Sequence, residues 1–174
     1  MEIEVRCYFF QAINALKYLH LNKIIHRDLK LSNLFLNEKM ELKLGDFGLA
    51  AKLAYTEEKR HTVCGTPNYI APEVLENRNG HSYEADLWSV GVIVYTLLIG
   101  KPPFETPHVK STYKKIKMGT YSFPENIPVS DNSRNTISKL LQLDPCQRPS
   151  LSELVCSPFI KNGDGVPRML PLST

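Results

Sequence analysis

Three short patterns hold the residues best suited to chemistry. In chain order they are the eight residues from His26 to Asn33 (HRDLKLSN), Asp46-Phe47-Gly48 and Ala71-Pro72-Glu73. Asn33 and Asp46 offer hard oxygen ligands of the kind that Mg²⁺ prefers. Asp28 offers a carboxylate that can accept the proton of an attacking hydroxyl, and phosphoryl transfer needs both a metal and such a base. Taken alone, Asp28 could equally be a helix cap or a salt-bridged surface carboxylate.

The spacing of the three patterns is specific. Asp46 follows Asp28 by 18 residues, and Glu73 follows Asp46 by 27. In this order and at this spacing, the patterns resemble the eukaryotic protein kinases over essentially the whole chain. The resemblance implies an ATP-dependent serine/threonine protein kinase. Its cofactors would be ATP and Mg²⁺, and its partners would be protein substrates with Ser or Thr acceptors.

The resemblance also implies a role for each site residue. Asp28 would be the catalytic base, with Lys30 and Asn33 also catalytic, and Lys30 would indicate Ser/Thr rather than Tyr specificity. Asn33 and Asp46 would bind the metal. The nucleotide would contact Lys30, Leu31, Ser32, Asn33, Phe35 and Asp46, with Phe35 as the floor of the adenine pocket. Most kinases carry an aliphatic residue at that position, and the alternative is that Phe35 is a plain core phenylalanine.

A long irregular segment from Asp46 to about Glu73 carries the candidate regulatory residues. Thr62 is the expected activation phosphosite, since its phosphate could pair with Arg27, which has no obvious acidic partner in the sequence. An upstream activating kinase would then be a partner, whereas the alternative is an unmodified surface threonine. Gly65, Thr66 and Pro67 would form the substrate loop. Structural roles are implied for His26 and for the Glu73–Arg148 ion pair. A structural role is also implied for Asp86, which would hold the backbone of the catalytic loop, residues 26–33.

The elements expected around these residues are mostly helical. Apolar spacing predicts an amphipathic helix over Val5–His20 and a nearly all-round buried helix over Tyr83–Ile99, with Ser82 as its N-cap and Gly100 as its stop. Shorter helices are expected over His108–Met118, Asp131–Leu143 and Ser150–Cys156. Two short strands, 33–37 and 42–44, should form a hairpin that brings Asn33 and Asp46 together. The expected fold is mainly α with a small β-hairpin, the C-terminal lobe of the α+β protein-kinase fold.

Composition narrows the function classes further. The chain has 174 residues with 21 Lys and Arg against 18 Asp and Glu, so a nucleic-acid partner is not expected from its net charge of +3. No apolar stretch reaches the roughly 18–20 residues of a membrane span, so no membrane partner is expected. Four separated cysteines without a CxxC pair fit reduced thiols in a cytoplasmic or nuclear protein. We expect a catalytic-domain portion over 1–160 and a C-terminal extension over 161–174.

Within the kinases, the chain is most similar to the polo-like family. The similarity rests on HRDLKLSNLFLN (26–37), GDFGLA (45–50), CGTPNYIAPEVL (64–75), GKPPFET (100–106) and PRMLP (167–171). Ser32 departs from a position that is commonly Gly. The resemblance implies a cell-cycle or mitotic role and a centrosome or spindle-pole location.

The patterns of an N-terminal kinase lobe do not precede Val5: a Gly-rich loop, a strand Lys and a partner-Glu helix. We therefore expect the N-terminal lobe to be absent and the 174 residues alone to be inactive. The alternatives are a truncated, non-catalytic interaction module or a lobe of another Ser/Thr kinase family.

Overall fold

The computed structural model describes residues 2–161, in which seven helices surround two small two-stranded sheets. The helices are α1 (Glu2–Leu21), α2 (Pro72–Glu76), α3 (Tyr83–Ile99), α4 (Val109–Met118), α5 (Asp131–Leu140), α6 (Leu151–Val155) and α7 (Pro158–Lys161). The strands are β1 (Ile24–Ile25), β2 (Leu34–Leu36), β3 (Leu42–Leu44) and β4 (Ala51–Lys52). Two 3-10 turns cover Leu31–Asn33 and Pro145–Gln147. The mainly helical character with a small hairpin is confirmed.

Helix α3 forms the centre of the core and packs against α1 and α5. Its bounds match the prediction, and almost every position is buried because apolar residues occupy nearly the whole circumference. Trp88 is fully buried and stacks on Phe104 with ring centroids 5.4 Å apart. A Cβ at Gly91 would lie 2.8 Å from the Cβ of Leu140, so the glycine permits the close approach of α3 and α5. Gly100 ends the helix in the left-handed conformation, as expected.

Helix α1 covers the other side of the core and is longer than predicted. It begins at Glu2 rather than Val5 and ends at Leu21 rather than His20. The apolar period starts at Val5, but Glu2 and Glu4 in the first turn favour helix there because they complement the positive end of the helix dipole. Its buried side chains, Phe9, Ile13 and Leu16 among them, face the central cluster.

The predicted hairpin is confirmed. β2 and β3 pair antiparallel, with Leu34 opposite Leu44 and Leu36 opposite Leu42. The Oδ1 atom of Asn37 accepts hydrogen bonds from the backbone N–H groups of Lys39 and Glu41, which fixes the tight turn between the strands. The second sheet, in which β1 pairs antiparallel with β4, was not predicted. Of its two strands, β4 lies within the segment that was expected to be irregular.

Several predicted helix ends were wrong. Ser82 is the N-cap residue of α3 as predicted, but its hydroxyl makes no capping hydrogen bond and donates instead to the carbonyl of Glu58, 3.3 Å away. α5 stops at Leu140 instead of Leu143, and just beyond that end the guanidinium of Arg148 donates to the carbonyl of Gln142. α4 and α6 each begin one residue later than expected, because His108 and Ser150 are the N-cap residues.

Helix α7 was not predicted. Residues 162–174, which contain nearly all of the expected extension, lie outside the described residues. Within 2–161, no helix has the length and apolar character needed to cross a membrane.

Candidate active site

The loop that carries Asp28 is anchored by a buried carboxylate from α3. Asp86, 1% exposed, accepts the backbone N–H groups of His26 and Arg27, each at 2.9 Å. A ring nitrogen of His20 lies 3.0 Å from the same side chain. Arg27 has φ 69°, a left-handed conformation that a non-glycine residue seldom adopts without support. Asp86 therefore holds a strained backbone in the position that Asp28 requires.

Asp28 lies at the centre of a hydrogen-bonded network that joins two parts of the chain. Its Oδ2 atom accepts from the ammonium of Lys30 at 2.8 Å. Its Oδ1 atom accepts from the hydroxyl of Thr66 at 2.7 Å and from the Thr66 backbone N–H at 3.0 Å. Lys30 also donates to the Thr66 hydroxyl at 3.1 Å. The structure thus brings the predicted base, the predicted specificity lysine and the predicted substrate loop together.

These contacts determine the charge state of Asp28. Burial raises its pKa, but the hydrogen bonds from Lys30 and Thr66 and the lysine charge outweigh that effect, so the pKa lies below its usual value. The carboxylate is therefore ionised at neutral pH. It can orient a hydroxyl that occupies the place of the Thr66 hydroxyl, and it can receive the proton of that hydroxyl.

Asn33 and Asp46 lie at the base of the hairpin, across from one another. The Gly45 N–H donates to the carbonyl of Asn33 at 3.0 Å, which brings the residue before Asp46 against Asn33. Nδ2 of Asn33 donates to the Asp28 carbonyl at 2.9 Å. Oδ1 is therefore the side-chain atom of Asn33 that could bind a metal ion. Asp46 is exposed and has φ 60°, and one of its carboxylate oxygens accepts from the Gly48 N–H. One amide oxygen and one carboxylate fit Mg²⁺, which is commonly held by one or two protein ligands together with phosphates.

His26 links the catalytic loop to the Asp46 segment. One ring nitrogen, Nδ1, accepts from the Asp28 N–H at 3.4 Å, so the proton resides on Nε2, which donates to the Gly45 carbonyl at 3.1 Å. Its ring also packs against Phe47, with centroids 5.0 Å apart. His26 is fully buried, and these contacts join the loop of Asp28 to the segment of Asp46.

The residues expected around the nucleotide lie next to this cluster. Phe35 is 54% exposed, so it does not belong to the core of residues 2–161. Its ring lies against Gly45, where a Cβ would come within 2.6 Å of the ring. Leu31 is half-buried and Ser32 is exposed. The surface beside Asn33 is thus open and partly apolar.

Thr62 and Arg27 are not joined in this structure. Thr62 is exposed, and Arg27 donates through Nε to the carbonyl of Leu49 at 2.6 Å. The backbone N–H of Arg27 is held by Asp86, and its side chain makes this contact to Leu49. Gly65 has φ 119° and lies so near Arg27 that a Cβ would be 3.0 Å from the arginine carbonyl, so the substrate loop passes directly over the catalytic loop. The pairing of Arg27 with a phosphate on Thr62 stays a prediction.

The Glu73–Arg148 pair lies below the substrate loop. The two nitrogens Nη1 and Nη2 of Arg148 donate to the two carboxylate oxygens of Glu73 at 2.7 and 2.8 Å. Nη1 also donates to the Glu84 carbonyl at 2.7 Å, and the guanidinium lies over the Trp88 ring. This bidentate geometry ties the end of the long segment to α3 and α6.

Two histidines near the site were not found from the sequence. His20 contacts Asp86, and His81 is buried beside the long segment with a backbone bridge to Arg60. His20 ends an amphipathic helix, and His81 precedes another helix in a polar stretch. Neither position carries a local pattern from which its burial could be read.

Comparisons with known proteins give one consistent answer. The family model described as "Protein kinase domain" matches residues 1–160. The chain is 63% identical over 173 residues to "Probable serine/threonine-protein kinase CCRP1" of Zea mays. It is 53% identical over 174 residues to "Probable serine/threonine-protein kinase PLK" of Dictyostelium discoideum, and 53% identical over 171 residues to "Serine/threonine-protein kinase PLK1" of Xenopus laevis.

These matches cover 99%, 100% and 98% of the chain but only 28%, 18% and 28% of the respective relatives. Each relative is therefore much longer than the chain. Together with the family model, their names agree with the resemblance that rests on residues 26–33, 46–48 and 71–73. The chain belongs to the protein kinase family, among serine/threonine kinase transferases whose relatives include the polo-like kinases.

Proposed function

We propose that this chain supplies the C-terminal lobe of a polo-like protein kinase that transfers the γ-phosphoryl group of ATP to Ser and Thr residues of protein substrates. The observation that carries the proposal is the network in which Lys30 and Thr66 hold the ionised Asp28 carboxylate beside Asn33 and Asp46. These contacts connect the substrate loop at Thr66, the proposed base Asp28 and the proposed metal ligand Asn33 in one continuous network.

Each site residue has its own role in phosphoryl transfer. A substrate hydroxyl takes the place of the Thr66 hydroxyl at Asp28, which orients it and accepts its proton as the new oxygen–phosphorus bond forms. The bond from the γ-phosphorus to the bridging oxygen breaks, and ADP leaves. Lys30 places a cation beside the transferred group, while Asn33 and Asp46 hold the metal. Bound Mg²⁺ supplies the charge that neutralises the phosphates.

Exposed apolar side chains support the assignment to one lobe. Phe35, Leu36, Phe47 and Leu49 are 54%, 45%, 47% and 38% exposed and belong to β2 and the segment after β3. Apolar surface of this kind is costly to leave in water. We infer that a second lobe of a longer protein covers it and completes the nucleotide site together with Phe35.

Regulation through Thr62 is part of the proposal. Thr62 is exposed, so an upstream kinase can reach it. A phosphate there would replace the Leu49 carbonyl as the acceptor for Arg27, with a stronger, charge-assisted hydrogen bond. Because the Arg27 backbone is held by Asp86, the bridge would fix the long segment relative to Asp28.

The biological setting follows from the family alone. The names of the Dictyostelium and Xenopus relatives support a polo-like kinase. A cell-cycle role is supported by the name of a Saccharomyces cerevisiae relative that is 52% identical over 155 residues, "Cell cycle serine/threonine-protein kinase CDC5/MSD2". We propose a cytoplasmic and nuclear protein that reaches centrosomes or spindle poles. A fluorescent fusion of the parent protein, imaged through mitosis, tests this location.

A chimera tests the catalytic proposal. Residues 1–174 replace the matched region of Xenopus laevis PLK1, which supplies the rest of the protein. The chimera should transfer ³²P from γ-labelled ATP to Ser and Thr of casein, as phosphoamino-acid analysis would show.

The matched control is the same chimera with Asp28→Asn, which should lose about 10²–10⁴ in rate. A folded chimera with no transfer at all would refute the proposal. It would favour a non-catalytic interaction module, in which the exposed apolar surface serves a binding partner.

A further inference from the structure

The segment that carries Thr62 is docked on the start of α3 by backbone contacts. Arg60 and His81 form an isolated antiparallel bridge in which each N–H donates to the other residue's carbonyl at 2.9 Å. The Ser82 hydroxyl donates to the Glu58 carbonyl. Gly80 has φ 69°, and a Cβ there would be 2.9 Å from the Arg60 carbonyl. Residues 58–60 thus lie tightly against 80–82.

His81 stands at the centre of this contact. It is 1% exposed, and neither ring nitrogen has a hydrogen-bond partner within residues 2–161. A buried polar group without a partner is unusual and destabilising when charged. Five residues after His81, Asp86 in the first turn of α3 holds the catalytic loop, while Thr62 lies two residues beyond Arg60. The bridge therefore connects the candidate phosphosite to the catalytic loop.

Charged and titratable groups of the catalytic loop, the long segment, α2 and α3 act on the His81 imidazole. Burial lowers the pKa of His81, Arg27 of the catalytic loop lowers it further, and His61 of the long segment adds to this. Glu73 of α2 and Asp86 of α3 raise it by less. The carboxylates are already engaged, Glu73 by Arg148 and Asp86 by the catalytic loop.

Arg60, the bridge partner, engages its guanidinium with other groups. Its Nη2 atom donates to the Lys52 carbonyl and pairs with Glu58 at 3.2 Å. Lys59, which packs on Gly80, pairs with Glu84 at 3.8 Å. No contact in the described segment offers the imidazole an acceptor for a second proton.

We propose that His81 is a positioning residue that docks residues 58–60, and with them Thr62, against α3 only while its imidazole is neutral. Protonation charges a buried ring that has no acceptor, so the bridge opens and the ring moves into water. The docked form resists protonation, whereas an opened form titrates near the ordinary value of 6.5. Opening is therefore favoured as the pH falls below about 6.5, by up to tenfold per pH unit until the docked form also binds the proton.

Hydrogen exchange in the 174-residue chain tests the proposal directly. NMR follows exchange of the Arg60 and His81 amides from about pH 8 to about pH 5.5, and each rate is divided by the intrinsic rate at that pH. Protection of both amides should begin to fall near pH 6.5, where the opened form titrates, and should decrease by up to tenfold per pH unit below it. Protection of the Gly45 amide, which donates to Asn33 in the hairpin, should not change over this range.

Three variants make the assignment specific. His81→Phe keeps an aromatic ring without a titrating group and should retain protection at every pH. His61→Gln and His108→Gln remove exposed histidines near to and far from the bridge, and both should keep the wild-type pH dependence.

The proposal is overturned if protection is independent of pH in the wild type, or if the Gly45 amide loses protection in parallel. It is also overturned if His61→Gln removes the pH dependence. Should His81→Phe fail to fold, the onset of the wild-type loss of protection near pH 6.5, kept in His61→Gln, decides. Because exchange reports docking and not phosphoryl transfer, its outcome is independent of the chimera experiment.

Discussion

Glu73→Gln replaces the carboxylate that pairs with Arg148 by a neutral amide of nearly the same shape. The Arg148 side chain is fully buried and that of Glu73 is 12% exposed, so the substitution leaves a cation inside the protein without its counter-charge. Removing one partner of a buried pair costs about 3–5 kcal/mol. Arg148 keeps the carbonyls of Gln142 and Glu84 as acceptors, so we expect the lower end, about 3 kcal/mol, or roughly a hundredfold in the folding equilibrium.

Urea unfolding measures this loss through the intrinsic fluorescence of Trp88, the single tryptophan of the chain, whose ring lies 5.1 Å from the Arg148 guanidinium. With a slope of about 1–3 kcal/mol per molar urea, the midpoint should fall by about 1–3 M. Glu41→Gln is the matched control, because Glu41 pairs with Lys43 at 3.3 Å with both side chains well exposed. Its midpoint should equal that of the wild type. A loss below about 1 kcal/mol for Glu73→Gln, the range of an exposed pair, would refute the reasoning.

Three further predictions concern nucleotide and phosphate. The isolated 174-residue polypeptide should bind Mg·ATP weakly in calorimetry and show no turnover on casein, and robust turnover would contradict the need for a second lobe. In the chimera, Asp28→Asn should reduce the rate and barely change ATP affinity, whereas Asp46→Asn should weaken both, so identical effects would mean that the roles are misassigned. Activity should rise from Thr62→Val through Thr62→Asp to the phosphorylated protein, and Arg27→Ala should abolish that order; equal activation without Arg27 would exclude the bridge.

Long periodic elements were predictable from the sequence. The bounds of α3 were correct because seventeen residues with an almost continuous apolar circumference end at a glycine. The hairpin was also correct, since the polar residues Glu38 and Lys39 separate two apolar runs, although β2 covers Leu34–Leu36 and not the predicted 33–37. The sheet of β1 and β4 was missed because these strands have two residues each, too short for any alternation to show.

The site could be predicted where a pattern is local, and not where it depends on distant contacts. The spacing of Asp28, Asn33 and Asp46 identified residues that the structure brings together. The bonds from Thr66 to Asp28 join residues 38 positions apart, and no local pattern reports such a contact. The burial of His81 likewise depends on how the long segment folds over it.

The anchoring of the catalytic loop by Asp86 has a consequence for synthesis on the ribosome. The carboxylate that fixes His26 lies 60 residues later in the chain, and Arg27 holds its left-handed conformation through the same group. At roughly 5–20 residues per second, translation takes about 3–12 s to reach Asp86 after His26 has been added. During this interval the nascent loop lacks the carboxylate that holds the backbone N–H groups of His26 and Arg27. A product that ends before residue 86 contains every residue of the HRDLKLSN pattern but cannot arrange them as a site.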